Sequence, residues 1–284
     1  MHFSVPRLLF LSLSSFFCCR SIEEFAQRFR DRGSKLTCLM NNAGVQIPKG
    51  PEKTSEGFEI HVGTNFLGHF LLTHLLLDVL RENAPARIVF MSSPQGARSP
   101  GIPWDDLAEG SSPRGGEFVR PGESSMDLYG TANLCKLMVA KEMAQRLEGS
   151  GVDVFVVQPG TTQSDLFPKQ DYEKSESKML DTLQKYAGQS PERGALSTLY
   201  CATEPELQGK PGGYYGPWYS SSGMAVNVGN TAELEPTSKE AQDPEARAKL
   251  YELAAKAVTS ALGRPLPNKL PRSDEQGGGA RVPA

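Results

Sequence analysis

From Ser21 onward the chain alternates between stretches with helical and strand periodicity. Ile22, Phe25, Ala26 and Phe29 recur at helical spacing behind Ser21, a suitable first-turn cap, and Gly33 stops the pattern. Leu36–Met40 is then a short apolar strand running into Asn41-Asn42-Ala43-Gly44. The pattern predicts a long helix from about Ser55 to Arg81, a strand over Arg87–Met91, a helix from about Asp127 to Leu147 and a strand over Val152–Val157. Pro191 opens a further helix to about Ala202, and Gly213–Tyr215 begins the last strand. The strands are short and apolar on both parities, as a sheet covered on both faces requires, and their alternation with helices predicts an α/β fold with a doubly wound parallel sheet.

Three segments fall outside this rhythm. Pro94–Met126 holds five prolines and six glycines and reads as a long surface loop. From Gly263 to Ala284 the chain is rich in Pro, Gly and charge and reads as an unstructured tail. At the other end Arg7 precedes an uncharged run of twelve residues, Leu8–Cys19, too short for a membrane span of roughly twenty residues but of the length of a signal-peptide core. The organisation expected is a hydrophobic segment over residues 1–20, one domain over 21–262 and a tail over 263–284. The sequence leaves the location open between cytoplasmic and, if residues 8–19 act as a signal or anchor, membrane-associated, with residues 1–19 making the membrane contact. A buried strand and an altered start site are the other readings of that run.

Composition narrows the chemistry. The 284 residues carry a net charge of −3 with no dense Lys/Arg block, which leaves no phosphate-tracking surface and argues against nucleic acid. Five cysteines without a CxxC and four histidines without an HExxH give neither a disulfide framework nor a metal site. Cys38, Cys135 and Cys201 read as small buried hydrophobes.

Five motifs in order carry more than any of them alone. Asn41-Asn42-Ala43-Gly44 follows a strand, Asn65 sits in the next helix, and Ser92-Ser93 ends the next strand. Tyr129 opens the following helix, and Pro159-Gly160 follows the last long strand. Over roughly residues 20–218 this arrangement resembles the short-chain dehydrogenase/reductase family. The wide Ser93–Tyr129 interval, with Trp104-Asp105-Asp106-Leu107 inside it, and Pro159-Gly160-Thr161-Thr162-Gln163-Ser164 are similar to its retinol-dehydrogenase-like branch.

The resemblance implies hydride transfer between NAD or NADP and a lipophilic carbonyl or alcohol. Such a reaction needs a proton donor for the developing alkoxide and a second donor to fix that oxygen. Tyr129 is the expected acid, Ser93 the second donor and Asn65 the holder of a relay water. Asn41, Asn42, Ala43, Gly44, Asn133, Pro159, Gly160 and Ser164 are expected along the cofactor. The resemblance also implies a homodimer through the Ser55–Arg81 and Asp127–Leu147 helices, with Phe66, Phe70, Leu75, Leu137, Met138 and Met143 on their apolar faces. Asp165–Gln189 falls at the position of the family's substrate lid. Tyr214, Tyr215, Trp218 and Tyr219 read equally as an aromatic wall near the substrate or as core.

Two departures bear on activity. The family's lysine, one helical turn after the tyrosine, is Asn133 here; the nearest lysine is Lys136, about two turns on and roughly 10 Å along the helix axis. No GxxxGxG or GxGxxG follows any strand, so the pyrophosphate-binding turn is not found and the sheet is expected to be incomplete at its N-terminal half. Its first strand then has an unpaired edge, which Phe3–Leu13 is available to cover. Two functions remain open: an oxidoreductase of the family with impaired turnover, and a non-catalytic dimerising or binding homologue without cofactor.

Overall fold

A computed structural model describes residues 18–46, 53–104, 118, 120, 122–164, 166, 188–217, 231–236 and 238–272. Five strands form one sheet in the order β1-β2-β3-β4-β5: Cys38–Asn41, Ala86–Met91, Val152–Val157, Tyr214–Pro217 and Thr231–Glu233. The first four pair in parallel and β5 pairs antiparallel with β4, extending the sheet beyond the strand expected to be its last. Helix α1 spans Cys19–Asp31. Val62–Leu67 is a π-helical turn that continues into α2, Gly68–Glu82, and α3 spans Ser125–Arg146. Later come α4, Pro191–Gly194; α5, Leu196–Thr203; α6, Lys239–Gln242; and α7, Pro244–Leu262.

The main core fills the space between the sheet and α1, α2, α3 and α7, where Leu39, Ile88, Phe90, Val154 and Val156 meet residues such as Phe70, Leu80 and Met138. The opposite face carries a smaller cluster, Val89, Phe155, Val157, Cys201, Leu207 and Tyr215, under α5. Tyr214 and Tyr215 belong to these two cores and not to an aromatic wall; Trp218 and Tyr219 lie outside the described residues. The doubly wound expectation holds for the parallel core, unevenly covered.

Several expected boundaries move. The turn and bend at Ser55–Phe58 delay the second helix to Ile60. Pro94–Arg98, placed in a loop by its prolines and glycines, forms a 3-10 turn capped by Ser93, whose hydroxyl accepts the Gln95 N–H at 3.2 Å. The helix opened by Pro191 divides at Ala195. Residues 263–272 are not unstructured: Leu266 and Leu270 are buried, and Asn268 exchanges hydrogen bonds with His74. The rest of that tail, the Asp105-Asp106 pair, Phe3–Leu13 and nearly all of Asp165–Gln189 lie outside the described residues.

The residues named for a dimer face are used inside the chain, and the homodimer itself stays an expectation. Phe66, Phe70, Leu75, Leu137, Met138 and Met143 are all buried within this chain, because α7 and the Leu266–Leu270 stretch cover faces that the sheet alone leaves open. Among the described residues no helix is long and apolar enough to cross a membrane.

Candidate active site

The carboxyl ends of β1, β2 and β3 converge on the residues that the motifs single out, the usual place for a ligand in an open α/β sheet. Ser93 leaves β2 and turns at once into the 3-10 segment, while α3 begins at a full capping box in which the Ser124 hydroxyl accepts the Asp127 N–H at 3.2 Å. Two glycines let these elements touch. A Cβ on Gly130 would sit 2.9 Å from the Gln95 carbonyl oxygen, and one on Gly96 would sit 3.2 Å from the Leu134 nitrogen. The close approach brings the Ser93 and Tyr129 side chains into hydrogen bonding across 36 residues of sequence. Gly96 and Gly130 were not among the expected site residues, although paired glycines beside a candidate acid are a legible sign of close backbone approach.

Tyr129 is almost wholly buried. Burial raises its phenol above the ordinary value, and hydrogen bonds from Ser93 and Asn133 only partly pull it back. Asn133 also donates from Nδ2 to the Tyr129 carbonyl at 2.9 Å, so its amide serves the tyrosine's own turn of helix. Ser92 Oγ donates to the Asn133 carbonyl at 3.1 Å and pins the end of β2 to α3. His61, held by Glu59 at 2.6 Å, stands edge-on to the Tyr129 ring with centroids 6.2 Å apart. Neither Glu59 nor His61 carried a motif.

Lys136 does not replace the lysine. Its Nζ donates to the Met91 carbonyl at 2.6 Å, one residue before Ser92, and burial alone lowers its pKa to about 7. The charge penalises folding wherever the buried amine must be protonated, fully below pH 7. The penalty shrinks as pH rises from 7 toward 10.5, because the folded amine is already neutral while the unfolded one keeps its proton. Lys136→Met is therefore expected to raise unfolding stability at pH 7 by about 2 kcal/mol, after the loss of the bond to Met91 is subtracted. Urea unfolding at pH 7 and pH 9.5 checks this: the wild type gains stability with pH through this group and the variant does not.

Asn65 lies in the π-helical turn, and its amide is already used. Oδ1 accepts the Val45 N–H at 2.8 Å and Nδ2 donates to the Val45 carbonyl at 2.9 Å, like one rung of a sheet. Its own carbonyl meets His69 Nδ1 at 3.0 Å. The side chain thus clamps Val45, in the run that follows β1, against the π-helical turn. Asn41 is buried and donates to Thr73 Oγ1 at 2.9 Å, whereas Asn42 is exposed and Ala43 and Gly44 are half-buried. After β3, Gly160 turns with φ of 74° and gives its N–H to Gln158 Oε1. Thr161 and Gln163 then pair with Gln189, fixing Pro159 through Gln163 and leaving Ser164 exposed.

These residues fit the reacting end of a nicotinamide dinucleotide, where two hydroxyls and an amide converge. They do not fit its pyrophosphate. Among the described residues no strand passes through a glycine turn into a helix N-terminus. The N-termini of α3 and α7 carry Asp127 and Glu245 in their first turns, which repel an anion.

Comparison with known proteins agrees with this geometry. Residues 19–103 match the family model described as short chain dehydrogenase. Mouse retinol dehydrogenase 11 is 38% identical over 196 residues, which cover 69% of this chain and 57% of that protein. Mouse retinol dehydrogenase 12 is 36% identical, covering 71% and 60%, and human retinol dehydrogenase 14 is 34% identical, covering 69% and 55%. The chain thus spans a little over half the length of these relatives. Among solved structures, an uncharacterised protein from Mycobacterium paratuberculosis superposes with a TM-score of 0.59 at 25% identity, covering 89% of this chain and 75% of that one. In sequence and in fold, the chain resembles the short-chain dehydrogenase/reductase family, with retinol dehydrogenases among the relatives it matches.

Proposed function

We propose that this site is the proton-transfer end of an NAD(P)-linked oxidoreductase for lipophilic alcohols and carbonyls, and that the chain as it stands turns over poorly. The observation that carries the reading is the hydroxyl pair itself: Ser93 bonded to a buried Tyr129, with Asn133 in place of a cation. A bound nicotinamide supplies or accepts the hydride. Tyr129 then gives its proton to an oxygen that gains negative charge, and Ser93 holds that oxygen in place. In the oxidising direction Tyr129 must first become a phenolate, and here burial opposes this while no ammonium offsets it. The lipophilic substrate class rests on the likeness to relatives that are named retinol dehydrogenases.

NADP and NAD are equally compatible with the described residues, because none of them addresses the adenosine ribose. Fluorescence titration of the purified chain with NADPH and with NADH tests the reading. No saturation is expected at micromolar cofactor, since no GxxxGxG or GxGxxG turn follows a strand in the sequence. A micromolar dissociation constant together with brisk retinal reduction would overturn the proposed impairment. A second reading, a non-catalytic binding homologue, draws its support from the same misfit at the pyrophosphate. It predicts that Tyr129→Phe leaves every measurable property except stability unchanged.

A further inference from the structure

The stretch after α7 folds back along that helix and meets α2 at a buried histidine. Gly263, with φ of 65°, ends α7 and reverses the chain. Leu266 N–H then reaches Thr259 Oγ1 at 3.3 Å, and Leu270 N–H reaches Tyr251 Oη, about two helical turns earlier in α7, at 2.9 Å. Between them Asn268 exchanges two bonds with His74: its carbonyl meets His74 Nδ1 at 3.2 Å, and its Nδ2 donates to the His74 carbonyl at 2.9 Å. Asn268 has φ of 51°, in the left-handed region that an L residue enters at a cost. The two bonds therefore hold a turn that the backbone alone disfavours.

The partners of the ring assign it one protonation state. A carbonyl only accepts, so Nδ1 carries a hydrogen and gives it to Asn268. Tyr251 Oη, 3.3 Å from Nε2, already accepts the Leu270 N–H and has a hydrogen of its own to give, which Nε2 receives. The imidazole is neutral, the middle of a hydrogen-bonded run from Leu270 through Tyr251 to Asn268. A second proton would set an N–H against the phenol hydrogen, in a ring that is fully buried edge-on to Phe70 and Tyr251, with centroids 4.5 and 5.7 Å away. The charges that face His74 are Arg146 at the end of α3, Arg81 on α2 and Lys269 in the stretch itself, all positive. The carboxylates of that network, Glu142 and Glu252, are engaged by Arg146 and Lys269. Burial lowers the imidazole from 6.5 to about 4, the Asn268 carbonyl opposes this, and the three cations add to it.

We propose that His74 is a proton-operated latch: neutral, it holds residues 264–272 against α2 and α7, and on taking up a proton it lets them go. In the open form the ring meets water and regains its ordinary basicity, so the closed form binds fewer protons. Closure is fully favoured above pH 6.5 and weakens as pH falls toward 4. From pH 7.5 to pH 5.0 the open fraction is expected to rise roughly 30-fold. Opening exposes the rings of Phe70, His74 and Tyr251 and frees Arg146 from the Leu270 carbonyl. An apolar face is thus offered in acid and withdrawn at neutral pH.

Amide hydrogen exchange of the full chain, resolved to single residues and corrected for the intrinsic effect of pH, tests the latch at pH 7.5 and pH 5.0. The Leu270 amide is expected to open more readily than that of Val156, which donates to the Gly213 carbonyl inside the sheet and reports unfolding of the whole domain. Its open fraction should show the roughly 30-fold rise. His74→Asn keeps an amide nitrogen near the place of Nδ1 but does not titrate, so its Leu270 amide should change by less than about threefold. Should that variant not fold, NMR of the His74 ring in the wild type decides the point, since ring protonation and release of the stretch must share one midpoint below pH 6.5. The latch is overturned by a Leu270 open fraction that is the same at both pH values, by one that merely equals that of Val156, by full pH dependence in His74→Asn, or by a protonated ring under a stretch that stays closed.

Discussion

Replacing Arg146 with Met is expected to cost about 3–5 kcal/mol of unfolding stability, the usual loss when one partner of a buried ion pair is removed. Arg146 is fully buried at the end of α3. Its Nε donates to Glu142 at 2.7 Å, its Nη1 donates to Glu252 at 2.8 Å and to the Leu270 carbonyl at 2.9 Å, and its guanidinium lies 3.8 Å from the Tyr251 ring centroid. Tyr251 in turn accepts the Leu270 N–H, and Lys269 closes on Glu252 at 2.6 Å. One guanidinium therefore joins α3, α7 and the stretch after Gly263. Methionine fills much of the volume but leaves the buried Glu142 carboxylate without its partner. The double variant Arg146→Met with Glu142→Leu should recover most of the loss, because the uncompensated charge goes with the second change. Urea unfolding of the two variants at pH 7 measures both effects. Equal stability of wild type and Arg146→Met would show that the network does not hold the C-terminal stretch.

That network also shows what the sequence conceals. Asp243, Pro244 and a left-handed Gly263 are ordinary boundary signals for α7, yet its buried face is made largely of Ala248, Ala254, Ala255 and Ala257, too weakly apolar to stand out as a stripe. Once α7 is overlooked, the apolar faces of α2 and α3 look like a dimer surface, and the Arg146 partners have no visible reason to exist. β5 is illegible for a different cause: Thr231, Ala232 and Glu233 make no apolar run and are held by pairing with β4.

Within the site, Ser93, Tyr129 and the turn after β3 were readable because motif order fixes them on strand ends and a helix start. The clamping of Asn65 and the turning of Lys136 toward Met91 were not readable. Both depend on which backbone group lies within reach after folding, Val45 in one case and Met91 in the other. Helical spacing placed Lys136 about two turns beyond Tyr129 but could not say that the β2 carbonyl would take it.

The largest functional effect is expected from supplying the cofactor end. Replacing residues 1–18 with a strand, glycine turn and helix taken from a retinol dehydrogenase relative should give NADPH binding in the micromolar range. Asn133→Lys in the unmodified chain should not. Pyrophosphate recognition rests on several backbone amides at a glycine-permitted helix start. A lysine at position 133 adds one charged hydrogen bond, about 1–3 kcal/mol, on the far side of the site. The two changes act on different steps. The replacement governs binding, and an ammonium one turn beyond Tyr129 lowers a phenol that burial now raises, so it governs turnover. Only the chain with both changes should oxidise a retinol-class alcohol at a useful rate, with a pH profile shifted to lower pH than that of the replacement alone. Tyr129→Phe in that background should reduce kcat by about 10²–10⁴-fold and Ser93→Ala by at least about tenfold, with little effect on NADPH affinity. Titration and steady-state kinetics on these six chains separate the effects. If Asn133→Lys alone restored binding, the phosphate-binding amides would have to lie elsewhere in this chain, and the assignment of its weakness to the pyrophosphate end would fail.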